Sequence, residues 1–172
     1  MDFDKVLKKR FCCRNFLPKK VEEEKLQKIL KAATLAPSAG NIQDWRFCLV
    51  ENKSLKTAIA DACLCQSFIK QAPIVIVVCS DLEEIGARYG ERGKNIYSYQ
   101  NTATAIENLL LKAADLGLFA CWVGAFSEKE ISRILGLLPN LQPVAVLPLG
   151  YCAEKAPAKS RKSLTEVVIF RK

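Results

Sequence analysis

The sequence predicts an α+β fold in which helices pack against a central sheet of four or five strands. Three observations lead to this class. Apolar residues recur at helical spacing in some segments, whereas other apolar runs are short and rich in β-branched residues. The elements follow no strict βαβ rhythm, and no Gly-x-Gly-x-x-Gly motif follows the first predicted strand, which argues against a Rossmann fold. With half of its 172 residues hydrophobic, the chain is expected to form one domain over 1–172.

The first half of the chain is expected to hold two helices and two strands. Both helices carry apolar residues on one face; the first has acidic residues in its first turn, and the second has Asn52 as its N-cap. The second strand is a continuous β-branched run, which is typical of a strand buried on both faces. In chain order, these elements cover 22–35, 46–50, 52–62 and 73–79.

The second half is expected to hold two helices and three strands. Gly117 ends the longest helix, and a capping box from Ser127 to Glu130 opens the other, which ends near Gly136. Because Pro148 has no N–H to donate to a ladder, its strand must bend or lie at a sheet edge. The last strand follows a polar stretch and could pair with a partner subunit's sheet. In chain order, these elements cover 95–116, 119–123, 127–136, 144–149 and 167–170.

The loop over 36–45 is the most informative segment. It contains proline and glycine, and it carries three polar side chains, those of Ser38, Asn41 and Gln43. Such a loop can place amide donors and acceptors against a flat heteroaromatic edge, while Gly40 lets the backbone come close. An ordinary turn between a helix and a strand is the alternative, and this segment alone does not separate the two interpretations.

The cysteines do not indicate a secreted or metal-binding protein. No signal peptide opens the sequence and no apolar run is long enough to span a bilayer, so we expect a cytoplasmic protein without membrane contact. We therefore expect no disulfide framework from the eight cysteines. The chain has no histidine and no Cys-x-x-Cys pair, so no metal site is expected.

The net charge of +8 is concentrated at the two ends of the chain. Elsewhere basic residues are interleaved with acidic ones, which argues against a nucleic-acid surface. Uncompensated positive charge lies in 8–10 with Arg14, and again in 159–162. If these ends meet in space, they form one anion pocket.

Three segments in the correct order resemble the nitroreductase family of flavin-dependent oxidoreductases. The segment Lys-Arg-Phe-Cys-Cys-Arg-Asn-Phe at 9–16 is similar to the family's Arg-Arg-Ser-x-Arg-x-Phe. The loop at 36–45 is similar to Ala-Pro-Ser-x-x-Asn-x-Gln-Pro-Trp, and 117–124 resembles Gly-Leu-Gly-x-x-x-Trp-[Ile/Val]-Gly. Leu-Gly-Tyr at 149–151 and the basic tail follow, so the resemblance covers essentially the whole chain.

The resemblance implies a nitroreductase-like fold with a mainly antiparallel or mixed sheet. It further implies a homodimer with exchanged terminal segments and FMN at two sites in the subunit interface. The implied reaction is ping-pong hydride transfer from NADH or NADPH to a nitroaromatic, a quinone or a related electrophile. The flavin carries this chemistry, so no catalytic side chain is assigned, which suits a chain without histidine.

The resemblance also implies which residues bind FMN. Basic side chains would neutralise its phosphate, loop residues would line the ring, and a backbone segment would face the ring nitrogen that receives the hydride. The phosphate group comprises Arg10, Phe11, Cys12, Arg14, Lys159 and Arg161; the ring group comprises Pro37, Ser38, Asn41 and Gln43; the backbone segment is Val123 with Gly124.

Three positions depart from the family pattern. Cys12 stands where a phosphate-binding serine is usual, and Phe11 replaces a basic residue, so that its contact could come only through the backbone. Asp44 replaces a proline; its carboxylate could weaken binding of an anionic ligand or merely face solvent. These departures leave two alternatives open: a specialised member that performs reductive dehalogenation or flavin destruction, and a non-catalytic flavin-binding or redox-sensing protein. Trp45 and Trp122 are expected in the core.

Overall fold

The computed structural model describes residues 2–171 and shows helices packed on both faces of one antiparallel sheet. Within these residues the sheet has four strands in the order β1-β2-β4-β3. Every neighbouring pair in this sheet is antiparallel. The α+β class is confirmed. The strands are β1 (Trp45–Val50), β2 (Ile74–Asp81), β3 (Phe119–Ala120) and β4 (Leu141–Gly150).

The predicted helices are all present, with ends that differ by a few residues. Asn52 caps the second of them by accepting a hydrogen bond from the Leu55 N–H at 3.0 Å. Gly136 ends a later one with φ of 59°, a left-handed conformation that favours glycine. The helices are α1 (Phe3–Lys9), α2 (Glu23–Thr34), α3 (Lys53–Ala62), α4 (Phe68–Gln71), α5 (Leu82–Arg92), α6 (Ser98–Asp115), α7 (Glu128–Leu135) and α8 (Leu164–Val167).

The predicted helices correspond to α2, α3, α6 and α7, whereas the others were not predicted. A π-helical turn, Gly93–Tyr97, leads directly into α6. No helix within residues 2–171 combines the length and the hydropathy that a bilayer-spanning segment needs.

The core lies on both faces of β2. Ile74, Ile76 and Val78 belong to a cluster that contains residues of α2 and α6. The alternate residues Val75 and Val77 belong to a second cluster with residues of α3 and α7. Because successive side chains of a strand face opposite sides, this burial on both faces explains the continuous apolar run in the sequence.

Pro148 lies inside the sheet, and the neighbouring strand is interrupted beside it. The Cys121 N–H donates to the Pro148 carbonyl at 3.2 Å, but Pro148 has no N–H to return the bond. Pairing resumes at Val123, which bridges Val146. The strand predicted over 119–123 is therefore shorter than expected, and it ends at Ala120.

The strand predicted over 167–170 is wrong for the single chain. Ser163 and Glu166 form a reciprocal capping box that opens the short helix α8. From Ala153 to Arg171 every residue is exposed, and no strand of the described sheet pairs with this arm. We call 153–171 the C-terminal arm.

Candidate functional site

The two ends of the chain meet, which is the condition under which the sequence predicted one anion pocket. The Leu17 N–H donates to the Tyr151 carbonyl, and the Ala153 N–H donates to the Asn15 carbonyl, each at 2.9 Å. A disulfide joins Cys13 to Cys152 between these contacts. It is an isolated bond and not a framework, since the other six cysteines are free thiols.

The disulfide lies within a group of side chains of the types that can bind a metal ion. Cys13, Cys152 and Glu154 place their ligand atoms within 4.8 Å of one another. The two sulfurs are bonded to each other and cannot act as thiolate ligands. This group therefore gives no support to a metal centre.

Basic residues from both ends converge near Arg10. The Lys159 ammonium donates to the Arg10 carbonyl. Partial burial, together with the charges of Arg10 and Arg161, lowers the pKa of the Lys159 amine. Arg14 and Arg10 both act on the thiol of Cys12. We call these five residues the basic cluster: Arg10, Cys12, Arg14, Lys159 and Arg161.

Two carboxylates flank the basic cluster. Glu107 of α6 lies 4.0 Å from the Arg10 guanidinium, and Glu154 accepts a hydrogen bond from the Arg14 backbone N–H at 2.9 Å. Four cationic side chains thus face two acidic ones, so the cluster keeps an excess of positive charge. Sequence reasoning missed Glu107, because only the packing of α1 against α6 brings it to Arg10.

The side chain of Phe11 is packed inside the protein and is not available to a ligand. Its ring is only 3% exposed and lies 4.7 Å from the ring of Phe119. The Lys159 ammonium lies 5.8 Å from the centre of the Phe11 ring. The expectation that Phe11 has no side chain free for a ligand agrees with this burial.

Cys12 is the most electrostatically perturbed residue of the basic cluster. Its half-buried side chain packs against the buried cluster that contains Cys121. The neighbouring thiol of Cys121, the backbone of Trp122 and the charges of Arg10 and Arg14 lower the pKa of Cys12 to about 5 against the opposing effect of burial. The Cys12 thiol in turn raises the pKa of Cys121. At neutral pH Cys12 therefore carries a negative charge among cations, which the sequence did not indicate.

The loop after α2 presents two exposed amide side chains side by side. Asn41 and Gln43 have positive φ values of 56° and 59°. The Gln43 side-chain amide lies 3.3 Å from both the backbone and the side-chain oxygen of Asn41. The hydroxyl oxygen of half-buried Ser38 accepts a hydrogen bond from the Gln43 N–H at 3.0 Å, which stabilises the loop. Pro37 is exposed at the start of the loop.

Asp44 fastens this loop to the core. It is fully buried, and its carboxylate accepts hydrogen bonds from the Ser80 hydroxyl at 2.5 Å and the Asn101 amide at 2.6 Å. The Asn101 carbonyl oxygen in turn accepts from the Ala39 N–H at 2.8 Å. The alternative that Asp44 merely faces solvent is wrong, because its carboxylate is turned inward to Ser80 and to Asn101 of α6.

The backbone segment 121–124 lies at the edge of the sheet. Val123 is buried and exchanges two hydrogen bonds of 3.0 Å with Val146. Gly124 is exposed, and a Cβ added there would meet no atom within 4 Å. Trp122 is 38% exposed, so its expected place in the core is wrong, whereas Trp45 at 5% exposure is a core residue as expected. Alternation along the segment turns Cys121 and Val123 inward and leaves Trp122 outside.

The residues assigned to FMN fall into two groups in one chain. Through Cys12, the basic cluster contacts the segment 121–124. Within residues 2–171, no hydrogen bond or ion pair joins Pro37, Ser38, Asn41 or Gln43 to either of these regions. The single chain therefore brings the two chain ends and the edge segment 121–124 together. No such hydrogen bond or ion pair joins them to the loop with Asn41 and Gln43, which we call the amide loop.

Comparisons with known proteins agree with this fold. The chain matches the sequence profile of the Nitroreductase family over residues 7–67 and 62–151. A solved nitroreductase family protein from Clostridium difficile 630 is 32% identical and superposes with a TM-score of 0.87, over 100% of this chain and 99% of that one.

Two relatives are named for their activity. An NADH dehydrogenase of Thermus thermophilus is 28% identical over 95% of this chain and 93% of its own. An oxygen-insensitive NADPH nitroreductase of Helicobacter pylori J99 is 25% identical over 96% of this chain and 94% of its own. These names support an oxidoreductase role that uses NAD(P)H. With a family match over most of its length and a shared fold, the chain belongs to the nitroreductase family.

Proposed function

We propose that the protein is a cytoplasmic, homodimeric FMN-dependent oxidoreductase, formed by 1–172 as one FMN-binding domain. It transfers a hydride from NADH or NADPH to a small-molecule acceptor, such as a nitroaromatic or a quinone, by a ping-pong mechanism. The observation that carries the proposal is the convergence of the two chain ends in the basic cluster, since nothing local explains why Arg10 and Lys159 should share one surface.

The basic cluster fits the phosphate of FMN. Burial, and then the charges of Arg10 and Arg161, lower the pKa of the Lys159 amine, and a bound dianion would offset the repulsion among these cations. Arg14 and Arg161 are exposed, so their guanidinium groups can turn toward a phosphate and donate two parallel hydrogen bonds each. The Phe11 side chain takes no part, because it is packed against Phe119.

The amide loop fits the polar edge of the flavin ring. Asn41 and Gln43 are exposed and can exchange their mutual contact for hydrogen bonds with ring nitrogens and carbonyls. A donor at this edge stabilises the negative charge of the reduced ring. Ser38 supports the loop conformation through the Gln43 N–H, and half-buried Ser38 and exposed Pro37 can both line the ring.

The segment at Val123 and Gly124 fits close approach of a planar ring. Val123 is fixed by its two hydrogen bonds to Val146, while the space next to Gly124 is open. A fixed backbone beside open space allows a ligand to lie directly against it. FMN, when bound, supplies a ring that accepts the hydride from NAD(P)H and passes it to the acceptor.

A homodimer supplies what one chain lacks. Among residues 2–171, no hydrogen bond or ion pair joins the amide loop to the basic cluster, so we propose that two copies together hold one flavin. The C-terminal arm exposes large apolar side chains that a partner would cover. Those at least 78% exposed are Leu164, Ile169 and Phe170.

A visible spectrum tests the proposed function. We expect the purified protein, supplied with FMN, to be yellow and to lose its absorbance near 450 nm (about the usual flavin maximum) when NADH or NADPH is added without oxygen. Reoxidation by a quinone or a nitroaromatic should restore the colour and release the product. Colourless protein that takes up no FMN would contradict the proposal.

One observation favours the non-catalytic alternative. The Cys12 thiolate places a negative charge where FMN would place its phosphate, and such a site suits a redox sensor as well as an enzyme. The same spectrum separates the two. A sensor would bind flavin without being bleached by NAD(P)H, whereas the oxidoreductase would be bleached within one turnover.

A further inference from the structure

The disulfide between Cys13 and Cys152 connects the two segments that form the basic cluster. Its Cα atoms lie 6.1 Å apart, and the two cysteines are separated by 139 positions in sequence. Cys13 lies between Arg10 and Arg14 in the N-terminal segment, whereas Cys152 immediately precedes the C-terminal arm, which carries the other two cations of the cluster. The bond therefore joins the two segments from which all four cations come.

Beyond its base, the C-terminal arm is attached by few contacts. Within residues 2–171, one hydrogen bond joins 155–171 to the rest of the chain, from the Lys159 ammonium to the Arg10 carbonyl. Every described residue of the arm is exposed. A covalent bond at Cys152 therefore limits how far the arm can move from the N-terminal segment. This restriction lowers the entropic cost of gathering cations from both segments around one ligand.

The two sulfurs of the disulfide differ in their access to solvent. Cys13 is fully buried in a cluster with Phe11, Phe16 and Ala72. Cys152 is half-buried and lies directly before the exposed arm. A disulfide is opened by a thiolate that reaches one of its sulfurs, so an external reductant should attack Cys152 and release Cys13.

The other six cysteines are free thiols, so this bond is the exception within the described residues. Disulfides that form in a reducing compartment are usually catalytic or redox-sensing. We propose that the Cys13–Cys152 bond is a reversible thiol–disulfide exchange site, at which an external dithiol attacks Cys152. In its oxidised form the bond keeps the basic cluster in an anion-binding arrangement.

The exchange with a dithiol balances in two steps. A thiolate of the reductant attacks the Cys152 sulfur, the bond to Cys13 breaks, and Cys13 leaves as a thiolate that takes up a proton. The second thiol of the reductant then attacks its own sulfur in the mixed disulfide, and Cys152 leaves and is protonated. One protein disulfide and one dithiol give two protein thiols and the disulfide of the reductant, and two electrons pass to the protein.

Reduction should weaken phosphate binding without abolishing it. The backbone hydrogen bonds between the chain ends remain, so Arg10 and Arg14 keep their places, while the arm with Lys159 and Arg161 becomes freer to move. We expect oxidised protein to bind FMN about 3- to 10-fold more tightly than reduced protein, and riboflavin equally in both forms. This consequence rests on the proposed function, whereas the exchange at Cys152 does not.

Peptide mapping tests the exchange. Full-length protein is incubated with or without dithiothreitol, alkylated with iodoacetamide and digested with trypsin without further reduction. Untreated protein should give the peptide 11–14 joined to 134–155, with Cys12 alkylated and Cys13 linked, as fragment ions between these neighbours will show. Treated protein should give the two peptides apart and fully alkylated, and oxidised glutathione should join them again.

A monothiol identifies the sulfur that is attacked. A brief incubation with 2-mercaptoethanol should leave a mixed disulfide on the peptide 134–155, which contains Cys152, and not on 11–14. Titration of oxidised and reduced protein with FMN and with riboflavin then measures the effect on phosphate binding. Cys152→Ser should bind FMN like the reduced protein and ignore dithiothreitol. Cys65→Ser, which removes an exposed free thiol, is the matched control and should respond like the native protein.

Three results would overturn the proposal. They are linked peptides that never form even with oxidised glutathione, a bond that dithiothreitol cannot open in the folded protein, and equal FMN affinities of the oxidised and reduced forms. A mixed disulfide found on 11–14 would contradict the assignment of Cys152 as the attacked sulfur. If neither form binds FMN, the proposed function fails, but the peptide result stands.

Discussion

At the scale of single residues, a sulfur in place of the usual serine oxygen at position 12 puts a negative charge in the proposed phosphate site. A serine at this position would offer a neutral donor to a phosphate, whereas the Cys12 thiolate offers an anion. The cations that lower its pKa are those proposed to bind phosphate, so thiolate and ligand compete for Arg10 and Arg14. This competition predicts an effect of pH with a definite direction.

We predict that Cys12→Ser binds FMN about 3- to 10-fold more tightly than the native protein at pH 7.5. The penalty exists only while Cys12 is ionised, above its lowered pKa of about 5, and it is lost as the pH falls through that value. The advantage of the variant should therefore shrink toward pH 5. Fluorescence titration between pH 5 and 8 measures the ratio of the two dissociation constants, from which protonation of FMN itself cancels.

Riboflavin is the control for Cys12→Ser. It lacks the phosphate, so both proteins should bind it equally at every pH. A constant FMN ratio across the pH range would contradict the assignment of a thiolate to Cys12.

The arginines of the basic cluster make a second residue-scale prediction. Arg14→Ala and Arg161→Ala should each weaken FMN binding about 10- to 150-fold, since a hydrogen bond to a charged group contributes about 1.5–3 kcal/mol. Riboflavin binding should change little. Arg133→Ala is the matched control, because Arg133 is an exposed arginine of α7 that pairs with Glu130. Equal losses for FMN and riboflavin would mean that the basic cluster is not the phosphate site.

At the scale of elements, α6 positions the amide loop through one buried contact. Asn101 donates to the Asp44 carboxylate and accepts from the Ala39 N–H, so it connects α6 to both ends of the loop. Asp44 and Asn101 are buried and Ala39 is partly buried, so removing Asn101 would take one hydrogen bond from the carboxylate and leave the N–H without its partner. The loop conformation thus depends on a residue that contacts no ligand.

We predict that Asn101→Ala lowers the free energy of unfolding by about 2–4 kcal/mol. This is the cost of removing the hydrogen bonds that the Asp44 carboxylate and the Ala39 N–H make with the Asn101 side chain. FMN and riboflavin binding should both weaken, because the loop with Asn41 and Gln43 loses its attachment. Asn108→Ala is the matched control: Asn108 lies on the same helix but makes one hydrogen bond of 3.2 Å, to the Ala32 carbonyl. Urea unfolding should show a cost of about 1 kcal/mol or less there.

The elements also show what the sequence could predict. Helices α3 and α7 were found because their ends carry the residues that cap them, Asn52 and Ser127. The same signal, Ser163 with Glu166, marks α8, but the apolar residues after it favoured a strand instead. The burial of Asp44 was not predictable, because its donors, Ser80 and Asn101, come from distant segments.

In the candidate site, too, some features could be predicted from the sequence and others needed the fold. The uncompensated cations at both ends were evident from the sequence, and their meeting was stated only as the condition for an anion pocket. The proximity of Cys12 to Cys121 was not evident, because it depends on how the N-terminal segment lies on the sheet edge. Local patterns therefore predicted the helices and the basic ends, while contacts between remote segments needed the fold.

At the scale of the whole molecule, the described residues 2–171 leave the apolar side chains of the C-terminal arm uncovered. Ile169 and Phe170 are 79% and 84% exposed. The full-length protein should therefore have twice the mass of one chain in light scattering at micromolar concentration. Burying one such side chain contributes about 1.5–3 kcal/mol, so Phe170→Ser in both arms should weaken the dimer by about 3–6 kcal/mol. That loss is about 10²- to 10⁴-fold in the dissociation constant.

Removing 163–172 should have the larger effect, giving monomer or aggregate that has also lost FMN, because the amide loop and the basic cluster then have no partner copy to complete them. Lys129→Ala, a change outside the arm, should leave both mass and flavin content unchanged. A monodisperse full-length monomer that retains FMN would contradict the proposed dimer, because a single chain would then hold the flavin without the partner's loop.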